Sequence, residues 1–242
     1  MRIQVVTPIS TAGLRSLEDF HPHVAPGTEV SHVLLETGPA TIESHVDEAL
    51  AVPEVLRRVV AAERAGVDAV VIDCMGDPGL EAARELVSIP VLGPAQSAMH
   101  VAAMLGHSFS VLATQQAVVP MTTDLARRYG LAGKLASIRT VDLPVLELEN
   151  EERLRTAMTE QALRALREDG AHVLLLGCTG MSGWAPRLTA ALADQGHPGI
   201  PVVDPVAAAL RIAEALVGQG LRPSGRTYPA PSSGAFATGD ER

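Results

Sequence analysis

The chain carries two cysteines, and both stand in the same local context. Cys74 lies in "VVIDCMGDPGL", from Val70 to Leu80, and Cys178 lies in "VLLLGCTGMSG", from Val173 to Gly183. Each follows an apolar run that reads as a buried strand and precedes a glycine-containing turn that leads toward a helix. At such a position backbone N–H groups and the positive end of a helix dipole favour a thiolate, so a lowered thiol pKa is expected. A thiolate on one side of a bound carbon and a thiol on the other carry a proton from one face to the opposite face. That chemistry is racemisation or epimerisation. One cysteine ending a strand is commonly inert packing. Two at matching places, with no third in the chain, shift the balance toward function.

The matching places belong to a longer internal repeat. "AGVDAVVIDCMGDPG" from Ala65 aligns with "DGAHVLLLGCTGMSG" from Asp169, pairing Gly66 with Gly170, Cys74 with Cys178 and Gly79 with Gly183. "IPVLGPAQSAMHVAAML" from Ile89 aligns in turn with "IPVVDPVAAALRIAEAL" from Ile200. "VVTPIS" from Val5 resembles "VLATQQ" from Val111, which places Thr7 and Thr114 at equivalent strand ends as candidate hydrogen-bonding groups for a substrate. The chain is a doubled unit. Two such halves related by a pseudo-twofold axis bring equivalent strand ends, and so the two cysteines, face to face across a cleft.

The elements that must hold them alternate. Strands are expected at Ile3 to Val6, Glu29 to Leu35, Ala69 to Ile72, Val91 to Leu92, Phe109 to Leu112, Ser137 to Val141, Val173 to Leu176 and Pro201 to Val203. Amphipathic helices are expected at Glu43 to Ala65, Gln96 to Leu105, Glu151 to Glu168 and Val206 to Leu216. This alternation predicts an α/β protein of two pseudo-symmetric lobes, each with a mainly parallel sheet flanked by helices. The first lobe is expected over 1–95, joined by a C-terminal helix over 206–221, and the second over 96–205. Residues 222–242, rich in Pro, Ser, Gly and Ala, read as a flexible tail.

Composition narrows the function classes. Hydrophobic residues make up 47% of the 242 and aromatics only 2%, so the core is aliphatic and offers few faces for stacking a base. The net charge of −9 and the lack of a basic run argue against nucleic acid. No stretch reaches the roughly 18 apolar residues of a membrane helix, and the N-terminus reads as a first strand. A cytoplasmic protein with free thiols is expected. No metal-ligand spacing, dinucleotide fingerprint or P-loop is present, so no cofactor and no metal are implied.

"CMGDPGL" at Cys74 to Leu80 together with "LLGCTGM" at Leu175 to Met181 resembles the paired cysteine motifs of the Asp/Glu/hydantoin racemase superfamily, nearest to its hydantoin racemase branch. "PGTEV" at Pro26, "GPATIES" at Gly38 and "IPVLG" at Ile89 support the resemblance, which covers the chain up to the tail. It implies a cofactor-independent racemase with its site between the lobes, acting on a small molecule, and a homo-oligomer. Cys74 and Cys178 would exchange the C5 proton of a 5-substituted hydantoin or related cyclic ureide. The backbone N–H groups of Met75, Gly76, Thr179 and Gly180 would stabilise the enolate oxygen. The pattern departs after the first strand, where relatives carry an Asn-Pro-Asn type motif and this chain has Thr7, Pro8 and Ile9. An amino-acid racemase of Asp/Glu type, a maleate-type cis-trans isomerase and a non-catalytic accessory protein on the same scaffold stand as alternatives. Asp73 is expected to be structural, and Asp77 to cap the turn that follows it.

Overall fold

The computed structural model describes residues 1–232. Eight strands form two four-stranded parallel sheets. The first contains β1 (Arg2–Thr7), β2 (Glu29–Leu34), β3 (Ala69–Ile72) and β4 (Val91–Leu92) in the order β2-β1-β3-β4. The second repeats that order as β6-β5-β7-β8, from β5 (Phe109–Ala113), β6 (Leu135–Thr140), β7 (Val173–Leu176) and β8 (Val202–Val203). The central β3 and β7 read as unbroken apolar runs because every residue in them is buried, as a strand covered on both faces requires. Register is equivalent in the two halves, with Val5 opposite Val71 and Val111 opposite Leu175.

Seven α-helices cover the sheets: α1 (His45–Arg64), α2 (Leu80–Leu86), α3 (Pro94–Leu105), α4 (Val119–Arg128), α5 (Glu151–Glu168), α6 (Ala185–Asp194) and α7 (Pro205–Gly218). The Ser44 hydroxyl accepts from Asp47 N–H at the start of α1, and Asn150 accepts from Arg153 N–H at the start of α5. On the outer faces Val55 and Val59 of α1 pack on Val6, Val70 and Ile72, and Leu154 and Met158 of α5 pack on Leu112, Leu174 and Leu176.

The inner faces are covered by exchange. Ala95, Ala98, Met99 and Ala102 of α3, which follows the first sheet, pack on Phe109, Val111, Val173 and Leu175 of the second. Val206, Ala209, Leu210 and Ala213 of α7, which follows the second sheet, pack on Ile3, Val5, Val71 and Leu92 of the first. The two exchanged helices also touch each other. The α3 helix begins two residues before its expected start because Pro94 occupies its first turn, where a missing N–H costs nothing. The α4 helix was not expected: the β-branched Val118 and Val119 before Pro120 mask its beginning.

Part of the segment read as a flexible tail is held in place. Arg84 of α2 donates to the Tyr228 hydroxyl at 3.3 Å and lies over its ring, and Arg222 donates to the Ser88 hydroxyl. The rest of that segment, 233–242, lies outside the described residues. Among the described residues no helix is long and apolar enough to cross a membrane, and no group of His, Cys, Asp and Glu is arranged to hold a metal ion.

Candidate active site

Cys74 and Cys178 each stand two residues beyond the end of a central strand, β3 and β7. Both are free and half-buried, and both line one cavity of about 400 Å³. Thr7, Met75, Gly76, Thr114, Thr179 and Gly180 line the same cavity, so the structure brings every site residue expected from sequence to one place. The remaining wall is largely apolar, including Ile42, Val118, Met121, Leu148 and Trp184. The two cysteine loops are tied together by the Thr179 hydroxyl, which donates to the Asp73 carbonyl at 3.3 Å.

The two sulfurs have similar surroundings. Gly76 N–H donates to Cys74 Sγ at 3.4 Å, and the N–H of Gly180 favours the thiolate of Cys178 in the corresponding place. A Cβ added at Gly76 would lie 3.6 Å from Cys74 Sγ, and one at Gly180 would lie 3.5 Å from Cys178 Sγ. These two amides therefore serve the sulfurs as the structure stands. At Gly76 the space is filled from within the chain, since an added Cβ would collide with Glu48 Oε1.

The expected lowering of the thiol pKa values does not occur. Burial raises Cys178 to about 11, against the donated N–H of Gly180 and the positive charge of Arg15, with Asp73 and Glu43 adding to the rise. Burial also raises Cys74 well above the ordinary thiol value; Gly76 N–H opposes this, while Cys178, Glu48 and Asp77 reinforce it. Desolvation of a thiolate outweighs one N–H contact, and neither cysteine begins a long helix. Cys178 caps only a three-residue 3₁₀ turn, and α2 starts beyond Gly79. The charges around the two thiols differ: Arg15 lowers Cys178, whereas Cys178, Glu48 and Asp77 all raise Cys74.

Asp73 is drawn into the cavity wall. Its Oδ2 accepts from the Thr7 hydroxyl at 2.9 Å and from Arg15 Nε at 3.0 Å. Because that carboxylate only accepts, Thr7 donates to it, and His32 Nε2, 2.9 Å from the Thr7 oxygen, is the donor in turn. Burial holds the pKa of His32 below its usual value, against the pull of Asp73, which favours the neutral ring. Asp77 does cap, but not the turn that follows it. It accepts from Ala95 N–H at 3.0 Å and Gln96 N–H at 2.8 Å at the start of α3, and from the Tyr129 hydroxyl at 2.6 Å.

Sequence reasoning missed Arg15, His32, Glu48 and Tyr129. Arg15 lies in the irregular segment between β1 and β2, where no periodicity marks a buried position, although a buried Asp73 demands a cation from somewhere.

The description of a known family, Asp/Glu/hydantoin racemase, matches residues 3–213. A hydantoin racemase of Rhizobium meliloti is 40% identical over 98% of each chain. Among solved structures, an allantoin racemase from Klebsiella pneumoniae superposes with a TM-score of 0.88 at 38% identity, covering 96% of this chain and 94% of the other. An allantoin racemase from Pseudomonas fluorescens gives the same TM-score at 37% identity, covering 96% and 97%.

Proposed function

Because the chain belongs to the Asp/Glu/hydantoin racemase family and is an isomerase of the racemase class, we propose that it interconverts the enantiomers of a 5-substituted hydantoin or related cyclic ureide by proton transfer between Cys74 and Cys178. The observation that carries this reading is the placement of both sulfurs, each beside its own N–H donor, in one cavity lined by both halves of the repeat. With the ring between them, the cysteine present as thiolate takes the C5 proton. Charge then moves onto the neighbouring C4 carbonyl oxygen. The other cysteine, present as thiol, returns a proton to the opposite face, and each sulfur ends in the state its partner began in.

The N–H groups of Met75, Gly76, Thr179 and Gly180 are the donors available for the C4 oxygen in this reading. Those of Gly76 and Gly180 turn from sulfur to oxygen as charge leaves the thiolate. The apolar wall of Val118, Met121, Leu148 and Trp184 suits a substituent on C5. The reaction needs no cofactor, since the carbonyl beside C5 already stabilises the carbanion. Relatives that act on hydantoin and allantoin support the ring as substrate.

Proton NMR of the purified protein in deuterated water, with enantiopure 5-substituted hydantoins, allantoin, aspartate and glutamate, tests this reading. Loss of the stereocentre signal together with optical rotation is expected for the ureides. Cys74→Ser and Cys178→Ser should each abolish two-way interconversion while leaving exchange from one face. Exchange of the amino acids and not of the ureides would refute the substrate assignment.

A further inference from the structure

We infer that the solvent face of α1 is the surface through which two copies of this chain associate, α1 packing antiparallel on α1 across a twofold axis. This association stands apart from the chemistry proposed above and does not depend on it.

Val46, Ala49, Leu50 and Pro53 are all exposed, Val46 at 67% and Leu50 at 62%. Their spacing puts them on one face of the helix, opposite the row of Ala51, Val55, Val59 and Ala62 that packs within the first lobe. The helix is thus apolar on two sides, and only one of them has a sheet to cover it. Just before the helix, Glu43 Oε1 accepts from Val145 N–H at 2.9 Å, which brings Leu146, also exposed, toward the same end. Thr41 and Ile42 line the cavity, so this apolar surface adjoins its rim.

The repeat supplies the control. The α5 helix holds the place of α1 in the second half, and its buried row of Leu154, Met158, Ala162 and Ala165 matches Ala51, Val55, Val59 and Ala62 one for one. In that register Ala49, Leu50 and Pro53 correspond to Glu152, Arg153 and Thr156, all exposed and all polar. The fold therefore does not require apolar residues at these places. A stripe that the equivalent helix does without answers to something outside the lobe.

Charge names the occupant. The first turn of α1 carries Asp47 and Glu48, and Arg57 and Arg58 follow beyond the stripe. An antiparallel copy centred on Ala49 and Leu50 sets Val46 against Pro53 and brings Arg57 of each helix beside the acidic turn of the other. The two helix dipoles then also run in opposite directions. A parallel copy would put like charges together. Arg57 can turn to meet its new neighbour, since its ion pair with Glu54 is a surface contact of little weight.

Sedimentation velocity of the whole chain from about 1 to 100 μM should show a species of two copies or an even multiple. Leu50→Lys, at an exposed position where the fold tolerates it, should raise the Kd of association by about 100-fold or more, because a twofold interface counts each substitution twice. Arg57→Glu should raise it about tenfold, and Thr156→Lys on α5 should leave it unchanged. Circular dichroism and melting confirm that each variant is folded. Orientation is read by cross-linking in a Cys74→Ser/Cys178→Ser background. Chains with Val46→Cys mixed with chains with Pro53→Cys should form disulfide-linked pairs on oxidation, whereas chains with Val46→Cys alone should not. A chain that stays monomeric across the range overturns the inference, as does an oligomer that Leu50→Lys leaves intact. Val46→Cys chains that link to one another as readily as in the mixture overturn the antiparallel geometry.

Discussion

The Tyr129 hydroxyl lies 2.6 Å from Asp77 Oδ2, joining the end of α4 to the loop that carries Cys74. Tyr129 and two N–H groups of α3 converge on a carboxylate that burial nevertheless pushes up from 3.8 to about 6. A folded-state value above the unfolded one means that the folded protein holds the proton more tightly. The contribution is therefore complete below the unfolded value and is lost as pH rises through about 6. It amounts to about 3 kcal/mol. Urea unfolding of the protein and of Asp77→Asn between about pH 4 and pH 7 should show the stability of the unaltered chain, relative to the variant, falling by most of that amount. A constant difference across the range would contradict this account of Asp77.

Gly93 is the other half of the same contact. A Cβ there would collide with Asp77 Cγ, and three donors hold that carboxylate where it is. Gly93→Ala should cost about 1–3 kcal/mol, a loss visible as a lower Tm. In Gly93→Ala/Asp77→Ala the two penalties should fall short of additive, because the second change removes the atoms the first collides with.

Asp204 performs the corresponding task in the second half from the opposite end. It caps α7 by accepting from Val206 N–H at 2.9 Å and Ala207 N–H at 3.2 Å, and it reaches back to the Cys178 loop through Gly183 N–H at 2.7 Å. Asp204→Ala should destabilise the protein by about 2 kcal/mol. Asp204→Asn, which keeps an acceptor for the helix, should recover part of that loss in the same melting experiment.

The cation near Cys178 and the acidic groups acting on Cys74 predict that the two thiols ionise in a fixed order. Iodoacetamide labelling followed by peptide mass spectrometry should modify Cys178 faster than Cys74 at each pH, with the Cys178 rate still rising toward about pH 11. If a thiolate starts the reaction, kcat/KM for C5 exchange should climb about tenfold per pH unit from roughly 7 to 9. A profile flat from pH 7 upward would show that a thiolate already exists in the free protein at neutral pH.

Much of the architecture was legible because parallel strands buried on both faces leave continuous apolar runs. Ala69–Ile72, Val91–Leu92 and Val173–Leu176 stand where those runs do. The repeat located the cysteines and the two threonines without any side-chain geometry. What sequence could not convey was the balance at each sulfur. The N–H contacts follow from local chain direction, but the larger desolvation depends on how tightly the halves close around Cys74 and Cys178. Arg15 escaped notice for a similar reason: its partner Asp73 is far away in the chain, and the segment that delivers it has neither helical nor strand period. Asp77 was assigned the right task at the wrong address, because a helix start eighteen residues away competes with the adjacent turn only once the chain has folded back.

The exchange of α3 and α7 sets a timetable for biosynthesis. The first sheet is complete once residue 92 has emerged from the ribosome, yet the helix that covers its inner face is the last one among the described residues. Ile3, Val5, Val71 and Leu92 keep an uncovered apolar surface until Val206 to Ala213 follow. The second sheet meets its inner helix in the opposite order, since α3 is already waiting when β5 arrives. A nascent chain stalled before α7 thus holds a nearly finished second lobe beside an unfinished first one. Its bare sheet face is the surface on which a chaperone would act.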